Sequence, residues 1–273
     1  MENKLFNYKE VLIFLVILLG VYLTSFYNYL LFHSLAEVFS VVIATGIFMI
    51  AWNARVFIEN DYLIFIGIAY IFIAGIDFVH TLAYKGMNIF HGFDANLPTQ
   101  LWIIARYFQA ITLLIAPIFF YRKLKHTYII PFYTLITLFL LGSVLYWNIF
   151  PTAYVEGVGL TTFKIVSEYI ISIILLGAIF FLYKNKENLD KSVFKLLVAS
   201  IIFTIGSELA FTFYVGVYGF SNMVGHFFKI IAFYLIYKAI VQVGLTKPYN
   251  LLFSRTGKGN HRRNNKSEDI NTK

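Results

Sequence analysis

The chain has 273 residues, of which 59% are hydrophobic and only 13% charged. A soluble domain is about 45–50% apolar and about 25% charged, so both values, with a mean hydropathy of +0.74, point to a polytopic membrane protein. The formal net charge is +8 and there is no cysteine, which excludes disulfides, thiolate zinc sites and cysteine nucleophiles.

A helix that crosses a bilayer needs about 20 mainly apolar residues. Eight runs qualify in chain order: Val11–Leu31, Leu35–Phe57, Tyr62–Ala83, Leu101–Phe120, Tyr128–Ile149, Phe163–Tyr183, Val193–Val215 and Met223–Val243. The first is expected to be retained rather than cleaved, because Tyr22, Phe26, Tyr27 and Tyr29 stand where a signal peptide carries small residues. The first two runs are separated only by Phe32, His33 and Ser34, which calls for a tight turn or a kink there. Membrane β-strands would alternate in polarity over about 10 residues, and these runs do not. The expected fold is an all-α membrane bundle of about eight helices. Residues 1–253 form the transmembrane unit and 254–273 a disordered, basic tail.

The basic residues set an expected orientation. With both termini cytoplasmic, 17 of the 22 Lys and Arg residues fall on the inside, and only Lys85 and Lys164 outside, as the positive-inside rule asks. That placement explains the positive charge without nucleic acid. The partners it implies are the lipid bilayer and its anionic headgroups.

With this topology, depth follows from a rise of about 1.5 Å per residue. Glu37, Asp77, His80, Arg106, Glu168, Glu208, His226 and Lys229 all fall in the outer half of their spans. Asp77 and His80, and likewise His226 and Lys229, are three apart and share a helix face. A charge in hydrocarbon costs roughly 2.5–3.5 kcal/mol on insertion scales, so a concentration at one depth predicts a polar chamber that binds a ligand or ion or responds to pH. The blander expectations are that Arg106 merely pairs with a carboxylate as structural glue, and that Lys164, Lys238 and His33 snorkel to the interface. Glu37 is marginal between the two readings.

The residues name no cofactor. Asp77, His80 and His226 offer oxygen and nitrogen ligands for a metal; His80 and His226 suit a bis-histidine haem; Lys229 offers an amine for a retinal Schiff base. Gly67, Gly75, Gly206, Gly225 and Gly244 suit close helix packing. The loops HGFDANLP and PTAYVEGVGLTTF either cap the chamber or simply connect spans. No GxxxxGK[ST], HExxH or GxSxG motif stands in a usable context, so no enzymatic activity is expected.

Five segments carry a resemblance: HSLAEVFSVVIATGIFMIAWN, IGIAYIFIAGIDFVHTLAYKGM, LPTQLWIIARYFQAITLLIAP, GLTTFKIVSEYIISIILL and the run from SELAFTFYV to KPYNLLF. Over roughly His33 to Phe253 the chain resembles the membrane-associated sensor domain of the third MASE type. The resemblance implies an integral membrane input module, of the kind found ahead of histidine kinases and diguanylate cyclases. The eight residues picked out by depth lie in the matching motifs. After PYNLLF comes only SRTGKGNHRRNNKSEDINTK, with no kinase histidine box, GGDEF motif or heptads. A sensor acting on a kinase or cyclase in trans, with a homodimer as one assembly, is therefore the expected function. A small transporter or proton-coupled carrier is the alternative, since intramembrane acids and histidines also line such pathways. An enzyme acting on lipid-linked substrates is a third reading, resting only on paired carboxylates beside a histidine.

Overall fold

The computed structural model describes residues 6–56, 61–212 and 219–241. Among them are eight long helices: α1 (Tyr8–Tyr27), α2 (Tyr29–Ala54), α3 (Tyr62–Ala83), α4 (Asn96–Ile115), α5 (His126–Leu145), α6 (Thr162–Lys184), α7 (Lys191–Ala210) and α8 (Phe220–Val241). Each is long and apolar enough to cross a membrane. The protein is a multi-pass, all-α membrane bundle, as the hydropathy demands. The end of the last span and the basic tail, in 242–273, lie outside the described residues.

Several boundaries shift by a few residues from the sequence expectation, and two of the shifts have a clear physical cause. The turn between the first two helices falls at Asn28, not at 32–34. Asn28 is extended (φ −159°, ψ 124°), and its side-chain oxygen accepts from the backbone N–H groups of Leu30 and Leu31. A short polar side chain that satisfies the free N–H groups of a helix start is what an N-cap requires. His33 and Ser34, polar enough to suggest a turn, are helical and face inward or sideways instead. The fourth helix begins at Asn96, five residues before the expected start. Pro98 falls in the first turn of this helix, where its missing N–H removes no helical hydrogen bond.

Contacts along the helices give their directions. Phe14 stacks on Tyr234 and Tyr22 meets Phe227, so α1 runs antiparallel to α8. Phe32 meets Phe227 and Gly46 approaches Tyr237, so α2 runs parallel to it. The pairs His33–His80 and Ala51–Gly67 make α2 and α3 antiparallel. Asp77–Arg106 and Tyr70–Gln109 do the same for α3 and α4, and Ser200–Ala232 and Ser207–Gly225 for α7 and α8. The bundle therefore has two ends. One carries Asn28, the 84–95 connection, a two-stranded hairpin (β1, Tyr154–Val155; β2, Gly159–Leu160) and Phe211. The other carries Phe6, Asp61, Leu124 and Val241.

Helix α3 and its neighbour α4 form the centre: fifteen of the 22 residues of α3 are buried, against none in α1. Helix α3 is the one that crosses α2 most tightly. It lies beside α2 so closely that a Cβ on Gly67 would sit 2.2 Å from Ala51 Cβ. A Cβ on Gly225 would likewise come within 2.5 Å of the Phe211 ring. Gly75, by contrast, faces open space and serves no close crossing; Gly244 lies outside the described residues. In a bilayer, the apolar outer faces of α1 and α5 are satisfied by lipid.

Candidate functional site

Six helices deliver ionisable side chains to one level near the Asn28 end. Helical spacing sets which face each group takes. His33 and Glu37 are four apart on α2, Asp77 and His80 three apart on α3, Lys164 and Glu168 four apart on α6, and His226 and Lys229 three apart on α8. Trp102, Arg106 and Gln109 follow the same rule on α4. Glu208 comes from the last turn of α7. All these charged groups and histidines are at most 5% exposed.

The charges form a continuous chain. Lys229 Nζ lies 2.5 Å from Glu37 Oε2 and 3.0 Å from Asp77 Oδ2, so one ammonium joins α8 to both α2 and α3. Arg106 grips Asp77 with both carboxylate oxygens 2.8 Å from one guanidinium nitrogen. Its other terminal nitrogen donates to Gln109 Oε1 at 2.6 Å, and Gln109 Nε2 donates to the Tyr70 hydroxyl at 3.0 Å. The rings of Trp102 and Phe233 flank both cations: Trp102 is 4.8 Å from each, and Phe233 5.7 Å from each. Those rings exclude lipid while their faces favour positive charge. His226 Nδ1 is 3.0 Å from Glu37 Oε1, in contact but without an aligned hydrogen bond.

A second group adjoins this chain. Lys164 is paired with Glu168 one turn on, and its Nζ lies 5.8 Å from the Trp102 ring. Glu208 is within electrostatic reach of Arg106, Lys164 and Lys229, and its carboxylate approaches the Trp102 indole N–H without an aligned hydrogen bond. The expected snorkelling of Lys164 and His33 is thus corrected: both are buried, at 1% and 0% exposure. Their neighbours explain it, an acid for Lys164 and a ring stack with Tyr84 at 3.4 Å for His33. Only Lys238 stays near the edge, paired with Glu10. Counting Lys164, four carboxylates face three fixed cations, a formal −1 with neutral histidines.

The histidines gather at the Asn28 side of the chain. The His33 ring centre lies 4.8 Å from that of His226 and 5.5 Å from that of His80. His80 Nδ1 is 2.7 Å from Pro98 O, which can only accept. The proton is therefore on Nδ1, and Nε2 is left with its lone pair and no partner among the described residues. A cavity of about 20 Å³ runs between His33, His80, His226, Trp102 and the exposed Lys85, room for about one water. Packing this tight leaves no space for a haem between His80 and His226 or for a retinal on Lys229. Asp77 does not extend this set toward a metal, because Arg106 and Lys229 already occupy its oxygens.

The hairpin and the start of α4 pack over part of this end. Tyr154 of the hairpin packs with Tyr84, Ala95, Trp102 and Phe211, and the Asn96 side chain accepts from the N–H groups of Ala153 and Tyr154. A larger apolar cleft of about 480 Å³ lies between α4 and α5, lined by residues such as Phe65, Phe108, Phe132 and Tyr133. It holds none of the charged set and faces the lipid side.

All eight residues expected at the site meet in this region. Sequence reasoning missed His33, Lys164, Trp102, Gln109 and Tyr70 as members. The signal was present for four of them: His33 is one turn before Glu37, Lys164 one turn before Glu168, Trp102 one turn before Arg106, and Gln109 three residues after it. Tyr70 could not be found that way, since its link runs through another helix.

Comparison with curated proteins gives no match, and comparison with solved structures gives none. A family model does match: the membrane-associated sensor domain MASE3, over residues 24–248. The match takes in every helix but most of α1, and with it the whole buried charge chain. The chain belongs to the MASE3 family of membrane-associated sensor domains and is a membrane sensory input module.

Proposed function

We propose that the buried charge chain is the sensing element and that α8 is its output. The observation that carries this is Lys229. Its ammonium holds α8 to Glu37 of α2 and Asp77 of α3 at the Asn28 end, while the same helix runs the length of the bundle to Val241. An occupant that competes for Glu37 or Asp77 favours a different position of α8. A ligand shifts such an equilibrium only by its differential affinity for the two positions. Here that difference is the ion pair it breaks or keeps.

The orientation proposed is both termini in the cytoplasm, supported by the basic residues that the described chain carries toward the Val241 end, among them Arg55, Arg122, Lys125, Lys184 and Lys191. Maleimide labelling of a cysteine placed at Lys85 in intact cells tests it; labelling only after lysis would reverse the topology. The motion of α8 would then reach the cytoplasm, where a histidine kinase or diguanylate cyclase in trans reads it, as a monomer or a homodimer. The carrier alternative is disfavoured by the apolar half of the core. Ala44, Ile47, Ile66, Ile236 and Ile240 fill the space between the charge chain and the Val241 end, and among the described residues no buried Asp, Glu, Lys, Arg or His side chain stands between the two.

The absence of cysteine allows a clean test. A bimane label on Val241→Cys, in nanodiscs, reports the environment of the α8 end. Its emission is expected to change on addition of the stimulus or in Glu37→Gln. The same emission in both backgrounds under every ion and pH condition would remove the charge chain from the mechanism.

A further inference from the structure

We infer that His33, Glu37 and His226, with His80 beside them, form a binding site for one divalent late transition-metal ion such as Zn²⁺. One ligand atom from each of His33, Glu37 and His226 lies within 4.8 Å of the others, and all three side chains are at most 2% exposed. In a tetrahedral site with bonds of about 2.0–2.1 Å, neighbouring ligand atoms stand about 3.3 Å apart. His226 Nδ1 and Glu37 Oε1 are already at 3.0 Å.

Four observations point to an ion rather than to plain packing. Both nitrogens of His33 are buried without a hydrogen-bond partner among the described residues. That state is costly for a ring with no ligand. Stacking on Tyr84 orients the ring, and no hydrogen bond of its own opposes the small rotation that closes the set. Glu37 divides its labour: Oε2 faces Lys229 while Oε1 is free of any hydrogen bond, the arrangement in which one oxygen ligates and the other is fixed by an outer partner. Finally, His80 lines the cavity beside His33 and His226, with Nε2 unpartnered among the described residues and its tautomer set by the Pro98 carbonyl, so a further imidazole stands next to the three-ligand set without belonging to it.

The donor set decides the class of ion. Imidazoles with one carboxylate suit Zn²⁺, Cu²⁺, Ni²⁺ or Fe²⁺, whereas Mg²⁺ and Ca²⁺ take oxygen ligands. The surplus negative charge of the surrounding cluster offsets the desolvation of a dication. As a binding site this stands alone. As the stimulus it rests on the sensing reading above, because metal on Oε1 withdraws charge from the carboxylate that holds Lys229.

The test is metal stoichiometry on the full chain, in detergent and after chelator treatment, with Zn²⁺ as the probe and excess Mg²⁺ present. His91, His126 and His261 are replaced by Ala to remove the other histidines. About one tightly held Zn²⁺ per chain is expected, with an X-ray absorption spectrum showing two or three imidazoles. His33→Ala should weaken binding at least tenfold. No retained Zn²⁺, an oxygen-only first shell, or retention unchanged in His33→Ala would each overturn the site. If His33→Ala does not fold, the first shell in the otherwise intact chain decides. A bimane response at Val241 that is the same with and without bound Zn²⁺ would remove the ion as the stimulus and leave the sensing reading standing.

Discussion

In the half of the bundle nearer Asn28, α2, α3, α4 and α8 meet through Glu37, Asp77, Arg106 and Lys229. In the other half the same four helices meet through Ala44, Ile47, Ile66, Ala110, Leu113, Ile236 and Ala239. The apolar half is held by close packing of small and branched side chains, where many weak contacts share the energy and each can relax. The polar half is held by a few directional contacts, none of which can be lost without leaving a charge uncompensated. One helix pair can thus be stiff at one end and switchable at the other. Contacts that have only a few discrete arrangements, and not contacts that deform gradually, give a sensor two states.

Substitutions should separate the halves by size of effect. The largest is expected for Lys229→Met, which strands Glu37 and leaves Asp77 to Arg106 alone. Removing one partner of a buried pair costs about 3–5 kcal/mol, read as a lowered unfolding midpoint in detergent. Adding Glu37→Gln to it should restore part of the loss, and a double variant no better than the single would break the pairing. In the apolar half, Gly67→Val drives a side chain into Ala51 across the α2–α3 crossing. Overpacking costs about 1–3 kcal/mol, and Gly75→Ala, which faces open space, should cost nothing by the same assay. A loss smaller than that of Gly67→Val belongs to Lys238→Ala, which removes the pair with Glu10 at the lipid-exposed α1. Half-exposed pairs of this kind are worth about 1 kcal/mol or less, so a larger loss there would mean that α1 is more than a peripheral helix.

Much of this contrast was legible in the sequence. Span number, the all-α class and the shared depth of eight ionisable residues follow from run length and from the 1.5 Å helical rise. Depth, however, does not say which way a side chain points. His33 and Lys164 sit near helix starts, where a long or polar side chain ordinarily reaches water. Only the stack on Tyr84 and the pair with Glu168 show that they turn inward. The break at Asn28 was hidden because apolar residues continue across it, and its cause is a single capping side chain. The role of Gln109 and Tyr70 as the far end of the Arg106 chain depends on how α3 and α4 are rotated against each other, and no periodicity within one helix contains that.

The most direct measurement of the central claim is the distance between α7 and α8 at the end remote from the charges. Spin labels on Lys195→Cys and Val241→Cys, in lipid nanodiscs, give its distribution by pulsed electron resonance. If the ion pairs of Lys229 set the position of α8, Glu37→Gln shifts or broadens that distribution while Gly75→Ala leaves it unchanged. An identical distribution in the parent, Glu37→Gln and Lys229→Met would contradict the account, because the buried charges would then hold the bundle together without steering its last helix.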